Sequence, residues 1–131
     1  MKGPKIVIIG AGSLFFSQPS IIGFSGSEVF NGGEICLVDT DEKKLRIVEK
    51  FAHQVTQTIG ANLTIKATTD RREVLAGADF VILTFADRGI YFRGLDCRLA
   101  NKYGIRMCSG DTTGPGGIFR TLRIVPTVIE I

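Results

Sequence analysis

The chain has 131 residues, a formal charge of +3 from 16 basic and 13 acidic side chains, 44% hydrophobic residues and 22% charged ones. This is the make-up of a soluble globular protein, long enough for one domain with a real core and short for a two-domain enzyme. It excludes a membrane span, because no apolar run approaches ~18 residues, and it argues against a nucleic-acid partner, because the basic residues are scattered among acidic ones instead of clustered.

The apolar run Ile6-Val7-Ile8-Ile9 empties into Gly10-Ala11-Gly12-Ser13, the pattern of a buried parallel strand followed by a tight turn at which a dinucleotide can sit. Because this run is only four residues long and meets glycines instead of a cleavage site, it does not read as a targeting segment. Phe15 stands where a third glycine of the G-x-G-x-x-G fingerprint would be. Pro19 suits the first position of a helix, which places the helix start near residue 18 and implies a phosphate loop longer than a plain Rossmann turn. Ile21, Ile22 and Phe24 give that helix its apolar faces, and Asn31-Gly32-Gly33 is expected to end it.

Glu34 to Asp39 reads as the second strand, finishing on an acid. A carboxylate there accepts hydrogen bonds from ribose hydroxyls and repels a 2′-phosphate, which favours NAD over NADP. Asp39 lies 27 residues beyond Gly12, farther than the usual ~20, an excess assigned to the longer loop and helix. Asp41 is expected to cap the next helix, whose stripe of Leu45, Val48, Ala52, Val55 and Ile59 ends at Gly60. His53 falls off that stripe and is read as facing solvent, since no second ligand lies at metal-binding spacing. Leu63 to Thr68 is a third strand, Asp70 caps a short helix through Leu75, and Ala78 to Phe85 is a fourth strand expected to be buried on both faces. The crevice beyond the carboxyl ends of these strands is where such sheets bind ligands, which brings Leu14, Thr84 and Asp87 to the cofactor beside Gly10, Gly12, Ser13 and Asp39.

From Asp87 to Gly117 the pattern loses regularity apart from a helical turn or two around Leu95 to Tyr103, as expected of a lid or binding loop. Arg88, Arg93, Arg98 and Arg106 are candidates to clamp an anionic or polyhydroxy ligand, although a solvated role is the commoner fate of such arginines. The glycine-rich loop from Asp111 to Gly117 leads into a helix over Ile118 to Ile131, with apolar positions 118, 122, 125 and 129 on one stripe and Arg120, Arg123, Thr127 and Glu130 opposite. Pro126 should kink it. No helix-ending residue follows, and the chain is therefore expected to continue, with the fourth strand left as a bare edge. Cys36, Cys97 and Cys108 match neither a disulfide framework nor a zinc site, which suggests a reducing cytoplasm.

Three stretches together resemble family 4 glycoside hydrolases: Ile8-Ile9-Gly10-Ala11-Gly12-Ser13, Leu37-Val38-Asp39-Thr40-Asp41-Glu42, and above all Gly110-Asp111-Thr112-Thr113-Gly114-Pro115-Gly116-Gly117-Ile118-Phe119-Arg120-Thr121-Leu122-Arg123, preceded by Lys102-Tyr103-Gly104. The Gly-Asp-Thr form of the loop is more similar to the alpha-glucosidase and alpha-galactosidase branch. The resemblance implies an α/β fold, a Rossmann-like parallel sheet with helices on both faces, incomplete at the C-terminus, as one NAD-binding domain over residues 1–131. It implies a reaction in which NAD oxidises the sugar at C3, the aglycone leaves by elimination, water adds and the hydride returns, an exception to the two-carboxylate scheme. Arg93, Asp111, Thr112, Gly116 and Gly117 would face a sugar glycoside. Manganese would polarise the C2 and C3 oxygens, but its ligands and the catalytic residues would lie beyond Ile131, so this fragment alone is expected to be inactive and the complete enzyme to be a homo-oligomer. Two alternatives stand beside this reading: a 2-hydroxy-acid dehydrogenase of the lactate or malate type, and a non-catalytic NAD-binding module.

Overall fold

A computed structural model describes residues 3–107 and 114–131. The chain divides into two compact units, one ending at Phe85 and one running from Ala86 to Ile131. The first contains strands β1 (Lys5–Ile9), β2 (Glu34–Val38), β3 (Thr64–Thr68) and β4 (Phe80–Leu83) and helices α1 (Leu14–Ser25), α2 (Glu42–Ile59) and α3 (Arg72–Leu75). The second contains helices α4 (Gly89–Lys102) and α5 (Pro115–Ile129).

The four strands form one parallel sheet in the order β3-β2-β1-β4. The chain steps outward from β1 to β3 and then returns to the other side of β1, which is the reversal point at which Rossmann-like sheets open a crevice. Ile6, Ile8, Ile35 and Leu37 point to the face where Ile21 of α1 and Leu45, Val48 and Ala52 of α2 complete the core. By the two-residue alternation of strands, Val7, Ile9, Cys36 and Val38 point the other way, and they are buried too. β1 and β2 therefore read as continuous apolar runs because both faces are covered.

α2 follows the sequence closely. The Asp41 carboxylate accepts the Lys44 N–H at 3.2 Å, Gly60 closes the helix in the left-handed conformation, and His53 is exposed. Asp70 likewise accepts the Arg72 N–H at 3.0 Å at the start of α3.

Other expectations are corrected. α1 starts at Leu14, not near residue 18, and Pro19 lies inside it. The Ser13 N–H bonds the Gly10 carbonyl at 3.0 Å, so the turn is tight and the helix begins at once, and the loop is no longer than a plain Rossmann turn. Pro19 costs α1 one backbone bond and is tolerated there, one turn in from the start. α1 also ends earlier than Asn31, at Ser25, with a short 3-10 turn over Glu28–Phe30. The extra spacing before Asp39 therefore lies behind the helix.

β4 is four residues long and is not buried on both faces: Phe80 is 56% exposed, and Val81 and Leu83 are exposed as well. It is an edge of the described sheet, so its apolar residues have a neighbouring strand on one side only. The stretch after Asp87 is not irregular but carries the 14-residue helix α4, whose apolar side chains are too dispersed around the axis to make a clear stripe. α5 starts at Pro115, ahead of the expected Ile118, and runs through Pro126. Its apolar stripe is outward, with Ile118 62%, Leu122 69% and Ile129 79% exposed, whereas Arg123 and Gly116 face α4. Asp111, Thr112 and Thr113 of the glycine loop lie outside the described residues.

In the sheet, Lys66 binds Glu34 at 2.8 Å and the Cys36 thiol donates to the same carboxylate at 3.2 Å. The hydrogen bond from Lys66 holds the Glu34 carboxyl below its usual range, while burial, then the bond to Glu34, pushes the Cys36 thiol from 9.0 up to about 11.

Candidate functional site

The first cluster lies at the carboxyl ends of β1 and β2. The N–H groups of Gly10 and Ala11 both donate to the Val38 carbonyl, at 2.8 and 3.0 Å, which ties the turn to the end of β2. Gly10 has φ +90, and a side chain there would also run into the backbone of Thr84 and Phe85 within 3 Å, so glycine is required twice over. Thr84 locks the same turn from β4, its hydroxyl donating to the Gly10 carbonyl at 2.9 Å and its N–H to the Ile9 carbonyl at 2.8 Å. Ser17, buried on the first turns of α1, donates to the Ala11 carbonyl at 2.7 Å. The sequence reading missed this brace, whose only trace is a small polar residue on a helix face that is otherwise buried.

Asp39 faces Gly12. One carboxylate oxygen accepts the Gly12 N–H and the other the Asp41 N–H, both at 2.8 Å. A Cβ on residue 12 would stand 2.8 Å from that carboxylate and 3.0 Å from the Lys44 side chain. The two backbone bonds fix the carboxylate's orientation, and each oxygen keeps a lone pair for another donor.

The N–H groups of the glycines are thus spent inside the protein. The donors left open are those of Leu14 and Phe15, which form no hydrogen bond among the described residues, at the start of α1. Ser13, the N-cap, does not use its hydroxyl to cap the helix. A helix start with unsatisfied amides and an uncommitted hydroxyl is suited to an anion. The structure therefore brings Gly10, Gly12, Ser13, Leu14, Asp39 and Thr84 together, with the glycines and Thr84 shaping the turn, and the groups open to a ligand being the Ser13 hydroxyl, the Leu14 and Phe15 amides and the Asp39 carboxylate.

The second cluster lies within the α4–α5 unit. A cavity of about 250 Å³ is lined by Asp87, Phe92, Arg93, Asp96, Arg120 and Arg123, among others. Asp96, only 8% exposed, takes both terminal nitrogens of Arg123 on its two oxygens, at 3.2 and 2.5 Å. The Arg123 guanidinium also lies 4.7 Å from the centre of the Phe92 ring. This fork-to-fork pair is the strong form of a carboxylate–guanidinium contact, and it joins α4 to α5. Asp87 and Arg93, both picked out in the sequence, line this cavity. Asp96 and Phe92 were not, and Arg123 was placed only on the polar face of the last helix, opposite its apolar stripe. The available signal was the three-residue spacing of Arg93 with Asp96 and of Arg120 with Arg123, which puts each pair on one helix face.

Gly116 and Gly117 are in the first turn of α5 instead of a loop. Gly116 is buried, and any Cβ there would collide with the Met107 side chain, so it permits close packing. Among the described residues no group of three or more His, Cys, Asp or Glu could hold a metal, and no helix is long and apolar enough to cross a membrane.

Fold and turn together define the class: a Rossmann-type α/β chain. The chain belongs to family 4 of the glycosyl hydrolases, whose model matches residues 5–131. It is 37% identical over 129 residues to an alpha-glucosidase of Erwinia rhapontici, covering 97% of this chain and 28% of that protein. It is 31% identical to an alpha-galactosidase of Rhizobium meliloti, covering 99% of this chain and 26% of that protein. Among solved structures it matches the 6-phospho-beta glucosidase of Thermotoga maritima, determined with manganese, NAD+ and glucose-6-phosphate, with a TM-score of 0.80 and 27% identity over 96% of this chain and 30% of that one. The chain thus spans under a third of the length of these relatives.

Proposed function

We propose that this chain is the NAD-holding N-terminal portion of a glycosidase acting on alpha-glycosides. The observation that carries it is the pairing of open Leu14 and Phe15 amides at the start of α1 with the fixed Asp39 carboxylate at the end of β2. The amides and the Ser13 hydroxyl receive the pyrophosphate, whose charge suits the positive end of the helix. Asp39 accepts from the adenosine ribose hydroxyls through its remaining lone pairs and repels a 2′-phosphate, selecting NAD. Thr84 keeps the turn in place.

NAD held there would supply reversible hydride transfer at the sugar C3, the chemistry that would make the C2 proton acidic enough for elimination of the aglycone. Arg93, Asp111, Thr112, Gly116 and Gly117 contact the sugar hydroxyls. Among the described residues no group of His, Cys, Asp or Glu fits manganese. The complete protein is a homo-oligomer of the cytoplasm. Family membership supports the glycosidase reading and displaces a lactate- or malate-type dehydrogenase, and the relatives include an alpha-glucosidase, an alpha-galactosidase and a probable 6-phospho-beta-glucosidase.

The test uses the full-length protein. Nitrophenol should be released from a nitrophenyl alpha-glycoside only with NAD, manganese and a reductant present. Equal hydrolysis after exhaustive removal of NAD rejects the reading.

A further inference from the structure

The cavity of the α4–α5 unit is lined in part by a charged pair, Asp96 and Arg123, that joins its two helices. Arg93 and Asp96 are three residues apart on α4 and share one face. Asp96 is nearly buried and engages Arg123 with both oxygens. The Phe92 ring flanks the Arg123 guanidinium at 4.7 Å, which removes a further degree of freedom from that side chain. The turn of α4 that carries Arg93 is thereby pinned to α5. At about 250 Å³, the cavity falls just under the ~300–1,000 Å³ of drug-sized pockets, a size suited to one sugar ring.

We propose that the Asp96–Arg123 pair is a positioning device for this cavity, holding the Arg93 guanidinium where a single sugar ring meets it. The proposal rests on the reading of the chain as part of a glycosidase, and it adds two positioning residues to that reading. Each Asp96 oxygen is engaged by Arg123, so the pair acts by fixing the two helices and leaves Arg93 to make the contact.

The test is calorimetry on the full-length protein, with glucose, galacturonate and glucose 6-phosphate as probes and NAD titrated in parallel. Arg123→Met should weaken the tightest-bound sugar by about tenfold or more, as misplaced contacts do, while NAD affinity stays within about twofold and Arg123→Lys recovers part of the loss. Unchanged sugar affinity in Arg123→Met overturns the proposal, as does an equal loss of sugar and NAD binding. So does a wild-type protein that binds none of the three sugars at millimolar concentration. Should Arg123→Met not fold, Phe92→Leu keeps the ion pair and removes the ring. A loss of about threefold in sugar affinity there supports the device, and no loss refutes it. A protein that binds sugar but releases no nitrophenol fails as a glycosidase, and the affinity ratio still decides this proposal.

Discussion

In the unit ending at Phe85, Ile6, Ile8, Ile35 and Leu37 are sealed from water by side chains of α1 and α2, whereas in the unit from Ala86 the buried described residues are Asp96, Ala100 and Gly116. The first unit is ordered by non-directional burial of apolar area, and in the second the described contacts between α4 and α5 include a bidentate ion pair and a close approach at Gly116. Burial tolerates small errors of placement and fixes a sheet. A fork-shaped ion pair tolerates few, and so fixes a cavity wall.

The largest test of this contrast is Leu37→Ala, which should cost about 2–5 kcal/mol in denaturant unfolding by opening a void between sheet and helices. Next comes Asp96→Asn, expected to cost up to about 3 kcal/mol by removing the buried carboxylate charge that faces Arg123. That loss should show as faster hydrogen exchange in α4 and α5, with the amides of β1 and β2 unaffected.

A third test is alkaline. Cys36 has its thiol pushed from 9.0 to about 11, so the folded state holds its proton where the unfolded state has lost it. The stability this gives is complete below about pH 9 and falls as the pH rises toward 11, by roughly 3 kcal/mol at most. Cys36→Ala should flatten that part of the stability–pH curve. Gly12→Ala drives a methyl against Asp39 and should weaken NAD binding about tenfold, read by calorimetry, with roughly 1 kcal/mol or less lost in stability. Smallest is Ile90→Ser on α4, where the side chain is 93% exposed and the change should stay within about 0.5 kcal/mol. A large effect there would show that apolar burial orders the second unit as well.

The legible parts of the site are those whose chemistry is written in local order. A strand emptying into glycines, an acid closing the next strand and an Asp-capped amphipathic helix each rest on residues within a few positions of one another, and each was found where expected. Pro19 misled because its strongest preference is for a helix start, while the tight Gly10–Ser13 turn had already begun the helix. The α5 stripe misled because amphipathicity names an apolar face without naming what that face meets.

The sequence by itself determined the family, the parallel strands β1 and β2, and the pairing of the glycine turn with Asp39, because backbone sterics and hydrophobic period act over short separations. The tertiary structure alone decided that the amides open to a ligand are those of Leu14 and Phe15, that β4 is an exposed edge, and that Asp96 and Arg123 meet across 27 residues of chain. Such pairings depend on how separate helices dock, and docking is set by the sum of many distant contacts that no local pattern encodes.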